Sequence, residues 1–188
     1  ESFVLRKNLM KKEYSFENVY FFANNLYLQN NDEDALKYYF EALSIVKAPT
    51  LQLFETYKNI GNIVVRQGDF EGAEDYYNKA NTINSNSDTL YVNYGTLEVQ
   101  REDYDKAIFC FRQAVQINSK NDKGWVGLAM VHNHFSDLEL AWANVETALD
   151  INSGNRTAIL LAANWCVRDQ KIERGIDLLE KYLAVADY

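Results

Sequence analysis

Apolar positions along this chain keep a register of 34 residues. Small residues recur in phase at Gly61, Gly95, Ala129 and Ala163, at Ala73, Ala107, Ala141 and Gly175, and at Ala80, Ala114 and Ala148, with Tyr182 closing the last series. Bulky residues keep the same phase, in one series of Tyr57, Tyr91, Trp125 and Ile159 and another of Phe70, Tyr104, Leu138 and Ile172. Within one period, Tyr57, Ile60, Gly61 and Val64 fall at i, i+3, i+4 and i+7, which is one face of a helix. Phe70, Ala73, Tyr77 and Ala80 repeat that spacing after the breaker Gly68-Asp69, so each period predicts two helices joined by a tight turn. A small residue mid-way along the first helix lets the second approach closely, and large side chains fill the space around the contact. One such pair cannot bury its apolar face alone, so the pattern predicts an all-α chain of antiparallel helix pairs stacked into a solenoid.

The register divides the chain into a lead segment, 1–15, and one solenoid, 16–188, with units 16–53, 54–87, 88–121, 122–155 and 156–188. The lead segment sets Phe3, Leu5, Leu9 and Met10 among Arg6, Lys7, Lys11 and Lys12, an amphipathic stretch that reads as a helix packed on the first unit or the remnant of an upstream one. The first unit is degenerate, with Asn30-Asn31-Asp32 in place of the Gly-Asp turn and four extra residues around Pro49 that should stop the helix running through Val46. The next three end alike, in Ile83-Asn84-Ser85, Ile117-Asn118-Ser119 and Ile151-Asn152-Ser153, where Asn and Ser serve a turn through local backbone hydrogen bonds. Asp88 and Asp122 mark the helix starts that follow. The fifth unit is recognisable by phase alone.

Tyr57, Ile60, Gly61, Ala73, Tyr77 and Ala80 meet an aromatic-x2-L-G, A-x3-aromatic-x2-A pattern, and the chain thereby resembles the tetratricopeptide repeat (TPR) family. The resemblance covers nearly the whole chain and implies a right-handed superhelix in which first helices line a concave groove for a partner's peptide or helix. Carried over by phase, the groove-facing positions include Glu17, Tyr20, Asn24 and Tyr27; Glu55, Lys58, Asn59, Asn62, Val65 and Arg66; Thr89, Val92, Asn93, Thr96 and Gln100; Lys123, Val126, Gly127, Met130 and His134; and Thr157, Leu160, Asn164 and Arg168. Lys58, Arg66, Lys123 and Arg168 against Glu17 and Glu55 make this face mildly basic in an acidic protein. Some family members hold a peptide's terminal carboxylate with Lys and Asn of one first helix, Asn of the next, and Lys plus Arg of the third. Lys58, Asn62, Asn93 and Lys123 stand at four of those five places, and Gly127 stands at the fifth. Charge-assisted hydrogen bonds from such a set suit an acidic or C-terminal carboxylate peptide, and the peptide-binding residues read from the sequence are Lys58, Asn62, Arg66, Asn93 and Lys123.

Composition narrows the function further. With 188 residues, 47% hydrophobic and 14% aromatic, the chain is too apolar to be disordered. A net charge of −8 has the wrong sign for nucleic acid or an acidic membrane surface. No run of about 18 apolar residues offers a membrane span. Cys110 and Cys166 lie in different units and read as small buried hydrophobes, which points to the cytoplasm, while a start at Glu1 also fits an exported protein whose leader has been removed. His132 and His134 sit two apart on a helix and so point about 200° apart, unable to share a metal. No phosphate loop, nucleophile elbow or paired-cysteine motif occurs. The chain therefore reads as a non-catalytic interaction scaffold without cofactor or metal. The alternatives are a targeting or regulatory segment of a larger enzyme or secretion machine, and a self-associating structural module. Ile172, Ile176, Leu179 and Leu183 should face inward on the last helix, with Leu178, Tyr182 and Val185 left as a surplus that invites association at the C-terminal end.

Overall fold

The computed structural model describes residues 14–168, 170 and 172–186, excluding the side chains of residues 178, 179 and 182–186. The described residues form ten helices: α1 Phe16–Leu28, α2 Asp32–Ile45, α3 Leu51–Arg66, α4 Phe70–Ile83, α5 Asp88–Gln100, α6 Tyr104–Ile117, α7 Asp122–His134, α8 Leu138–Ile151, α9 Arg156–Arg168 and α10 Ile172–Ala186. The all-α, paired-helix fold class is as the period predicts. The reading of the lead segment lies outside the described residues for 1–13.

The chain divides into two compact units between Asn86 and Ser87. In the first, α1 packs on α2 and α3 on α4, and α3 also packs against α1 and α2. In the second, the pairs are α5 with α6, α7 with α8 and α9 with α10, with α7 also against α5 and α6, and α9 against α8. The small residues of the repeat lie at the centre of each pair: Ala35, Ala42, Ala73, Ala80, Ala107, Ala114, Ala141 and Ala148 are fully buried. In the second unit, Trp142 of α8 meets Trp165 of α9 edge to face, with ring centroids 5.6 Å apart, inside a core that includes Val145, Ile159 and Cys166.

The turns inside the pairs share one geometry although their sequences differ. Asn30, Gly68, Glu102, Ser136 and Gln170 all have positive φ, from 56° to 82°. In four of these turns the next residue returns an N–H to a carbonyl five positions earlier: Asn31 to Leu26, Asp69 to Val64, Asp103 to Glu98 and Asp137 to His132, at 2.9–3.1 Å. This is the Schellman ending, and the same Asn or Asp then caps the following helix by accepting from the N–H three residues on. Asn30-Asn31-Asp32 is thus a full equivalent of Gly68-Asp69-Phe70. The extra residues before the second pair have two effects. Helix α2 ends at Ile45 ahead of Pro49, and Thr50 caps an α3 that begins at Leu51 and runs for 16 residues.

The Ile-Asn-Ser ends also do more than close a turn. Asn118 and Asn152 each accept a backbone N–H two residues on, from Lys120 and Gly154. Their amide groups donate at 2.6 Å to Asp88 and Asp122, 30 residues back in the chain, where Asn121 and Asn155 also donate. The caps proper are Ser87 and Asn121, and the two aspartates are the first helical residues.

On α10, Gly175 is buried while Ile172 and Ile176 are half exposed, at 53% and 50%. The expectation that these two isoleucines face inward is therefore corrected. A Cβ at Gly175 would sit 2.9 Å from Cβ of Cys166, so this close approach of α10 to α9 sets which face turns in. The surplus read at Leu178, Tyr182 and Val185 falls on side chains outside the described set.

Candidate groove site

In the first unit the polar residues of the first helices bond to one another and to residues of the second helices. Asn59 donates to Asn24 at 3.2 Å and to the Tyr39 hydroxyl at 3.0 Å, and that hydroxyl in turn donates to Asn24. Burial drives the Tyr39 phenol far above its ordinary pKa and pushes Tyr20 up to about 12, so neither ionises near neutrality. Asn62 accepts from the Tyr77 hydroxyl at 2.8 Å and donates to Tyr27 at 3.1 Å. Arg66 grips Asp32 through two hydrogen bonds and lies over the Tyr27 ring; the bonds to Asp32 raise its pKa further. Lys58 is mostly buried, paired with Glu55 at 2.7 Å and set over the Phe54 ring.

The second unit is built differently at the same phase. Phe111 stands where the first unit has Tyr77, and Thr96 stands where it has Asn62, so the hydroxyl-to-amide latch is missing. The Thr96 hydroxyl instead donates to the Val92 carbonyl of its own helix. In place of the latch there is a pocket of about 280 Å³ lined by Val92, Thr96, Val99, Gln100, Phe111, Lys123, Val126, Gly127, Met130, Asn155 and Thr157. Phe111 is its aromatic wall, seated because α5 and α7 offer glycines to the ring. A Cβ at Gly95 would fall 2.6 Å from Phe111 Cε1, and one at Gly127 would collide with the same ring. Gly127, at the clamp's fifth place, is therefore a buried packing position.

Of the residues read as peptide-binding, Lys123 is exposed at this pocket, and no carboxylate among the described residues pairs with it. Asn93, half-buried on α5, is engaged in an interaction of its own. Lys58, Asn62 and Arg66 belong to the first unit, with the partners given above. Arg168 donates to Asn133 at 2.7 Å and lies over Trp165. Of the basic residues read along that face in the second unit, Lys123 is the one that lines the pocket.

Val92, Thr96, Gln100, Lys123, Val126, Gly127, Met130 and Thr157 are all groove positions read from the repeat phase. Val99, Phe111 and Asn155 were not among them. The signal for Phe111 was available in the loss of a hydroxyl at a tyrosine position, together with threonine where the first unit carries asparagine.

Nothing at the site resembles a metal or nucleophile centre. His132 is buried, its pKa lowered by that burial, and His134 stacks on Tyr104 at 3.6 Å. Burial also pushes the half-buried Cys110 thiol up to about 11. Among the described residues no three of His, Cys, Asp and Glu are placed to hold a metal ion, and no helix is long and apolar enough to cross a membrane.

Comparison with known proteins agrees with the fold. The tetratricopeptide repeat profile matches residues 54–87 and 88–121. No curated protein matches the sequence. Among solved structures, PilF of Pseudomonas aeruginosa is similar at a TM-score of 0.76 and 15% identity, over 90% of this chain and 75% of that one. MamA gives 0.65 and 18%, over 88% and 97%. YrrB, described as a TPR protein with an unusual peptide-binding site, gives 0.62 and 20%, over 96% and 91%. At these identities the likeness is one of fold. Residues 54–121 thus carry two tetratricopeptide repeats, and the 34-residue register and the helix pairs with small residues at their centres extend the same repeat fold to the other described helices.

Proposed function

We propose that the chain is a non-catalytic scaffold that binds a peptide or helix of a protein partner along the first-helix faces, with the second unit supplying an anchoring pocket. The observation that carries this reading is the apolar pocket on α5 and α7 with an unpaired lysine beside it. It is concave, mostly apolar and has few polar groups, as binding sites generally are. Lys123 supplies charge that draws an acidic segment and is weakened by salt. In the first unit, Lys58 would take up a partner's carboxylate by exchanging Glu55 for it. Co-purification of a partner with the wild-type chain, against a Lys58→Ala, Lys123→Ala double variant, tests the role of charge. Loss of capture in the variant and weakening with salt are expected, and salt-independent capture by both proteins would overturn that role.

Self-association through the C-terminal end is a second reading, supported by the exposure of Ile172 and Ile176 on α10. A role as the targeting or regulatory segment of a larger machine is compatible with either.

A further inference from the structure

We infer that the pocket of the second unit recognises an internal segment of its partner, in which one large apolar side chain lies within two positions of an aspartate or glutamate side chain, and not a chain terminus. The inference rests on the scaffold reading above and narrows it to a ligand chemistry.

The apolar half comes from the walls. Val92, Val99, Phe111, Val126 and Met130 form the apolar walls of an open cleft of about 280 Å³. A cavity near 150 Å³ lined by apolar side chains already admits benzene, so this one has room for a leucine, methionine or phenylalanine side chain. Its volume is available because Phe111 carries no hydroxyl and Thr96 no amide. The residues of the first unit at the same phase, Tyr77 and Asn62, close on each other at 2.8 Å.

The acidic half comes from the polar groups that remain. A terminal carboxylate held in a groove needs several donors converging on two oxygens. Here two of the polar lining residues are already engaged, the Asn155 amide donating to Asp122 at 2.8 Å while its oxygen accepts the Ala158 N–H, and the Thr96 hydroxyl donating to its own helix, and the exposed Gln100 and Thr157 add only neutral groups to the one cation of the lining. Lys123 is left as a single charge at the pocket. A lone, flexible ammonium is matched by a flexible carboxylate side chain. Gln100 and Thr157, both exposed on the lining, suit the passing backbone of a segment that continues in both directions.

The test uses the full chain as bait for two random peptide libraries, one displayed internally between linkers and one with free C-termini. Selected peptides are resynthesised with a fluorophore and titrated by polarisation. Enrichment in the internal library of a large apolar residue with an acidic residue within two positions is expected. Lys123→Glu should then weaken binding by about tenfold or more. The pair Thr96→Asn, Phe111→Tyr rebuilds the latch of the first unit and should abolish binding, with circular dichroism confirming the fold. Enrichment only with free C-termini, or internal peptides indifferent to Lys123→Glu, overturns this inference and leaves the scaffold reading standing. No enrichment in either library, or binding indifferent to the rebuilt latch, overturns the pocket in both.

Discussion

Phe111 shows how much one ring decides. It is buried between two glycines, one on each neighbouring first helix, and forms the wall of the pocket as well as part of the core with Ala107, Leu128 and Val131. Gly95→Leu should therefore overpack the pair and cost about 1–3 kcal/mol, read as a lower urea midpoint. An unchanged midpoint would contradict the close approach. A second residue-scale expectation concerns Glu102, an ordinary L-residue held at φ 61° in the turn between α5 and α6. Replacing it with glycine removes a left-handed penalty of about 1–2 kcal/mol, offset in part by the greater chain freedom of glycine when unfolded. Glu102→Gly should raise stability by roughly 0.5–1 kcal/mol in the same measurement, and a loss of stability would show that its side chain supports the turn.

At the scale of the elements, the second unit repeats one joint, at Asp88 and again at Asp122. The carboxylate of Asp88, at the start of α5, receives the amides of Asn118 and Asn121 at the junction of α6 and α7. Burial alone would raise its pKa, but the two amides and nearby backbone N–H groups outweigh that and hold it below the ordinary carboxylate value. A depressed carboxylate stabilises the fold above its unfolded pKa of about 3.9 and loses that contribution as pH falls through the lower folded value. Stability should accordingly drop with acid below about pH 4, and Asp88→Asn should flatten that part of the curve. Parallel curves for the two proteins would remove Asp88 as a contributor. The helices and their pairing were legible because Gly95, Ala107 and Ala114 keep phase with their counterparts in neighbouring units, and packing tolerates little variation there. The joint was half legible. The Asn-Ser ends announced a turn, but a bond between residues 30 apart leaves no local pattern. The left-handed turns at Glu102 and Ser136 were hidden for a related reason, because backbone hydrogen bonds and the following aspartate cap enforce them without glycine.

For the molecule as a whole, the repeat phase named candidate positions on the first helices but not which of them are already engaged. Lys58, Asn62 and Arg66 looked equivalent to Lys123 in sequence, and only three-dimensional packing shows Glu55, Tyr77 and Asp32 holding them. The inward face of α10 was misread because apolar spacing at Ile172 and Ile176 suggested burial, whereas the close approach at Gly175 turned them outward. If that exposed pair drives association, sedimentation should depend on concentration for the wild type and not for Ile176→Asp. A wild type that stays monomeric at high concentration would dismiss this contact. The central claim, that partners bind at the first-helix face of the second unit, is tested most directly by site-specific photo-crosslinking. A benzophenone amino acid placed at Met130, on the pocket, should crosslink to a bound partner peptide, while the same group at Phe109, exposed on α6, should not. Crosslinks at Phe109 without any at Met130 would contradict the account.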